Sequence, residues 1–78
     1  MNKQRRQYID NIIEKLESIR DEIISVRDEE QECLDNIPEN LQSSERYENA
    51  ENAVQALDEA ESSLDDIIEH LTSARDGW

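Results

Sequence analysis

His70 is the only histidine of the chain, and Asp66 precedes it by four residues, a spacing that sets imidazole and carboxylate on one face of a helix. Such a pair is half of a metal site. A carboxylate-bridged metal bundle takes Glu-x-x-His, but Ile67 stands three residues before His70, so the pair reads as a surface histidine beside an acid. From Asp28 to Glu39 acids fall at the first, third, fifth and last of twelve positions, the outline of a calcium loop. The sixth position, which takes glycine in such loops, is Cys33. Cys33 continues a helical apolar series, which points to a small buried thiol; the lesser alternative is a reactive or intersubunit cysteine. Neither a metal nor a cofactor is expected. Catalysis needs polar groups converging in a concave, water-poor pocket, and the elements described next do not form one, so the chain is expected not to be an enzyme.

Those elements follow from the spacing of apolar residues. Ile9, Ile12, Leu16, Ile19, Ile23 and Val26 step by three and four, and the series runs on through Glu30 to Cys33 and Ile37. After the single proline, Ala50, Ala53, Leu57, Ala60, Leu64, Ile67, Leu71 and Ala74 step in the same way. The spacing predicts helices over about 3–36 and 44–76, joined by a turn over about 37–43. Pro38 disfavours helix at Ile37, and Ser43 or Ser44 is suited to cap the second helix. Arg75 lies in the last turn, with Gly77 as a left-handed stop. The expected fold is all-α: one domain of two long antiparallel helices, a helical hairpin in which residues whose numbers add to about 80 meet, so that Ile23 faces Leu57.

A hairpin has one seam, and Tyr8, Ile13, Ile24, Leu34, Tyr47, Val54 and Ile68 lie off the predicted one. Burying a large apolar side chain is worth about 1.5–3 kcal/mol, which a chain this short cannot readily forgo. Pairing of two hairpins into a four-helix bundle would cover these residues; so would a different protein docking on Ile13, Ile24, Val54 and Ile68. Trp78 is either a frayed terminus or a further apolar anchor on that face.

With 21 acidic and 8 basic residues among 78, the formal net charge is −13. A charge of this sign repels phosphates, so direct binding of nucleic acid is not expected. Residues 1–27 hold six bases against five acids, whereas residues 28–78 hold two against sixteen. Between Asp28 and Ala53 nine acids face Arg46 alone, which makes the hairpin tip an acidic knob. One interpretation is a solvated surface that keeps the protein soluble. The other is recognition: carboxylates along two rods imitate a phosphate backbone, and Glu29, Glu32, Glu45, Glu48, Glu51, Asp58, Asp65 and Asp66 would engage the basic groove of a nucleic-acid-binding protein. One cysteine permits no internal disulfide, and no basic stretch leads into an apolar one. No membrane association is expected, and the location expected is the cytoplasm.

The run from Leu34 to Glu48, Leu-Asp-Asn-Ile-Pro-Glu-Asn-Leu-Gln-Ser-Ser-Glu-Arg-Tyr-Glu, followed by Ala-x-x-x-Leu steps, resembles small acidic helical proteins of phages and mobile elements of Gram-positive bacteria. In those proteins the position of Leu34 is often phenylalanine, and an Asp-Asn-hydrophobic-Pro-Glu segment leads into Leu-Gln and Ser-x-Arg. The resemblance implies an accessory protein acting in the host cytoplasm by binding, with inhibition of a host defence or nucleic-acid protein as one such role. It implies no catalytic residue. The alternative from the residues alone is a structural or adaptor coiled coil, homodimeric, in which charge serves solubility.

Overall fold

A computed structural model describes residues 1–77; Trp78, expected as an apolar anchor, lies outside the described residues. Two long helices, α1 (Lys3–Asp35) and α2 (Glu45–Asp76), flank a single 3-10 turn over Glu39–Leu41, and the described residues hold no strand. Neither helix contains Gly or Pro, so nothing interrupts either one until its cap. Asn2 Oδ1 accepts the Arg5 N–H at 2.8 Å and Ser44 Oγ accepts the Tyr47 N–H at 3.2 Å, so both helices begin on side-chain caps. Glu45 and Glu48 complement the positive start of α2, and Arg75 its negative end. Gly77 ends α2 at φ −70°, a right-handed conformation and not the left-handed stop expected of it.

The helices lie antiparallel in a rod 60 × 15 × 12 Å. Three interhelical ion pairs fix the register: Arg20–Asp65 and Arg27–Asp58 at 2.8 Å, and Arg75–Asp10 at 2.6 Å. In each, the residue numbers add to 85, five more than the sequence suggested. The turn accounts for the shift. The Leu41 N–H donates to the Pro38 carbonyl at 2.8 Å and the Ser44 N–H to Leu41 at 3.1 Å, so the chain reverses near residues 42–43.

The seam also differs from the predicted one. One rail of α1 is as expected, with Ile9, Leu16, Ile23 and Glu30 half-buried. The second rail lies four residues beyond each of these, not three: Ile13 and Leu34 are buried, and Arg20 and Arg27 are half-buried between them. On α2 the rails are Ala50, Leu57, Leu64 and Leu71, then Val54, Glu61, Ile68 and Arg75. Ile13, Leu34, Ala50 and Val54, 6–8% exposed, are the most buried side chains. Leu34, Ala50 and Val54 form one cluster, with Ile37 and Tyr47 packed on it, so the thicker core lies at the tip and not at the open end. Leu41, in the turn, is half exposed.

Candidate functional site

Because the helices are antiparallel, the hairpin has two long sides, one on either flank of the seam, and the sequence fills them differently. On the first side the seam arginines reach across to the other helix. Arg20 donates to Asp65 and Arg27 to Asp58, while Arg75 of α2 donates to Asp10 of α1. The hydrogen bond to Asp65 raises the Arg20 guanidinium above its ordinary pKa; Asp58 and then Asp28 do so for Arg27, and Asp76 and then Asp10 for Arg75. These arginines bury their alkyl stems in the seam and carry charge only at its edge.

Of the eight acids singled out in the sequence, five (Glu48, Glu51, Asp58, Asp65 and Asp66) share this side and the outer back of α2, all exposed, and exposed Glu45 at the start of α2 borders the recess beside Cys33, Arg46 and Asn49. Asp58 and Asp65 are already engaged by α1, whereas Glu45, Glu48, Glu51 and Asp66 have no ion-pair partner among the described residues. Glu32 lies on the back of α1 and Glu29 on the opposite rim of the rod, so the eight do not form one patch.

The second side is apolar. Ile12, Ile19 and Val26 of α1 and Ile67 of α2 are 43–52% exposed, and Cys33, expected to be buried, is exposed in line with them. The residues expected to face outward are elsewhere: Ile13 and Val54 are inside the seam, with Ile68 half-buried on the same rail and Ile24 half-buried at its edge. Ile13 and Val54 therefore offer no outward docking surface. Their exchange with Ile12, Ile19 and Val26 follows from the choice of the four-residue step over the three-residue one.

Asp66 and His70 are exposed, and among the described residues no three His, Cys, Asp or Glu side chains gather as a metal site. A recess of about 470 Å³ beside the turn is lined by Cys33, Ile37, Pro38, Leu41 and Arg46, open to solvent and without paired acid and base groups. Neither helix is long and apolar enough to cross a membrane.

The residues that sequence reasoning missed are Asp10, Arg20, Arg27 and Arg75, the ion pairs of the seam. A signal for two of those pairs was present, since Arg20 and Arg27 are seven apart and so are Asp58 and Asp65. Comparison with protein-family models, with curated proteins and with solved structures finds no match for this chain.

Proposed function

We propose that the protein acts without catalysis, by protein–protein contact, and that its working surface is the acidic side of α2 with the acidic tip. The observation carrying this reading is the segregation of charge. Glu48, Glu51 and Asp66 stand exposed on the flank and outer back of α2, while positions 46, 49, 53, 56, 60, 63, 67, 70 and 74 on the other flank hold no acid, Glu45 at the helix start being the one acid that borders that side, beside Cys33, Arg46 and Asn49. Charge needed for solubility alone has no reason to avoid one flank of a helix.

Carboxylates repeated along a rod suit the basic groove of a protein that holds a nucleic-acid backbone, and salt would weaken such binding steeply. The resemblance of the turn segment to phage and mobile-element proteins supports an accessory role, inhibition of a host defence or nucleic-acid protein. A second reading, a homo-oligomeric adaptor, is favoured by the exposed stripe Ile12, Ile19 and Val26.

The two are separated by a displacement assay. Host proteins held on DNA-cellulose at low salt are challenged with the wild type and with Glu48→Lys plus Glu51→Lys. Release of a discrete protein by the wild type, lost on charge reversal with helicity unchanged, supports the acidic reading. Failure to release any protein, or release that survives the reversal, overturns it.

A further inference from the structure

The apolar side is unusual in what the hairpin gives up to make it. The seam could have taken Ile12, Ile19, Val26 and Cys33, four uncharged residues spaced by seven. Instead it takes Ile13, Arg20, Arg27 and Leu34, and turns both arginines toward the opposite side, where Asp65 and Asp58 receive them. A hairpin meant to stand alone would bury the four uncharged residues. One whose second side is itself to be covered keeps them out.

We propose that the occupant of that side is a second copy of this chain, laid face to face with its tip over the open end of the first, the two-fold axis passing beside Ile19.

Three features fit this occupant. First, area: a face of 60 by 15 Å offers roughly 900 Å², close to the ~800 Å² per partner of a standard stable interface. Second, from Arg46 to Ala74 the α2 flank of this face holds no acid, Glu45 bordering it only at the tip, in a chain of net charge −13, so two copies meet there without facing rows of carboxylates. Third, the rim charges of α1 complement themselves on reversal. Arg5 continues the stripe at the open end and Lys15 flanks it there, while Glu22 and Glu29 flank it toward the tip. With the axis at Ile19, the midpoint of α1, Lys15 comes within one residue of level with Glu22 of the partner subunit, and the relation repeats by symmetry. Ile12 then comes level with Val26 of the partner subunit. In the other orientation, tips together, two regions that each carry nine acids against one base would lie side by side.

The pairing is independent of the proposed acidic docking, because the side holding Glu48, Glu51 and Asp66 faces outward from it. Failure of the displacement assay leaves the dimer standing, and the converse also holds.

The test is solution mass by light scattering together with a cross-link. The wild type is expected at twice 9.1 kDa and Ile19→Glu at the monomer mass with its helicity largely kept, since Ile19 is 44% exposed in the single hairpin. Lys15→Glu should weaken the dimer about fivefold, two rim pairs being reversed at once, and Lys15→Glu with Glu22→Lys should restore it. Ile19→Cys in a Cys33→Ser background should form an intersubunit disulfide on mild oxidation, while the wild-type Cys33, held far from its symmetry mate, should not. A wild type monomeric at 100 µM overturns the proposal. So does a dimer that Ile19→Glu leaves intact, and so does ready oxidation through Cys33 with none through the Ile19→Cys position.

Discussion

Adjacent residues of α1 have opposite fates. Ile13 is buried and Ile12 exposed; Leu34 is buried and Cys33 exposed; between them Arg20 and Arg27 enter the seam while Ile19 and Val26 stay in solvent. Hydropathy alone would choose the other way at two of the four steps, where isoleucine and valine are passed over for arginine. What decides is the set of aspartates on the opposing helix. Asp58 and Asp65 on α2 and Asp10 on α1 edge the same side of the rod, and each receives an arginine from across the seam. A long alkyl stem lets arginine serve as a seam residue as far as its last methylene, so the seam keeps apolar packing while its edge is ionic. Geometry-specific arginine–aspartate pairs choose among registers that leucines would tolerate equally, which is the attested use of charge at coiled-coil interfaces.

The largest effect that would test this comparison comes from the buried member of a neighbouring pair. Leu34→Ala removes the centre of the cluster with Ala50 and Val54, and should cost about 2–3 kcal/mol, near the low end for leucine truncation because the site is shallow. Cys33→Ala, one residue away and exposed, should change stability by less than about 0.5 kcal/mol. Urea unfolding at one fixed protein concentration measures both. Equal costs would mean that Cys33 lies in the seam as the sequence suggested, and the four-residue step would be wrong.

The sequence made the helices legible and the seam illegible for one physical reason. Helix bounds depend on local signals: the caps Asn2 and Ser44, the lack of Gly or Pro inside each helix, and Pro38 at the reversal, and both helices fall within one residue of the expected limits. Seam identity depends on long-range pairing. Positions 9, 16, 23 and 30 belong to both candidate seams, so the three-residue and four-residue companions compete, and only the partner helix can decide between them. The register went astray by five for a related cause, since the 3-10 turn adds chain to the reversal that no heptad pattern records. Of the candidate site, the acidity of the α2 flank was legible as composition. That Asp58 and Asp65 are engaged by arginines, and that the opposite flank holds no acid beyond Glu45 at its start, became visible only once the two sides were distinguished.

A smaller effect concerns the ionic edge itself. Arg27→Asp sets a carboxylate against Asp58 and also removes the packing of the Arg27 stem, so its Tm should fall by several degrees. Asp58→Arg alone places a second cation beside Arg27 and should fall by less, because the outer residue can swing away into solvent. The double exchange, Arg27→Asp with Asp58→Arg, should recover part of the combined loss. A cycle with no recovery would mean that the pair sits at the edge without setting the register.

The smallest effect on stability belongs to the residues given the largest role in binding. Glu48 and Glu51 are exposed, lie in the first two turns of α2 and have no ion-pair partner among the described residues. Reversing both to lysine loses a favourable interaction of Glu48 with the positive start of α2, worth about 0.3–1 kcal/mol at low salt. It also relieves repulsion within a tip of nine acids against one base, an effect of opposite sign and similar size. The thermal midpoint should therefore move by no more than a few degrees, and less in 0.5 M salt than in 0.05 M, because both contributions are screened. The seam substitution Leu34→Ala should keep its full cost at either salt, since burial of a leucine is not a charge effect. If the double reversal instead unfolded the hairpin, the acidic side would be a structural element of α2, and its role as a free recognition surface would fall with it.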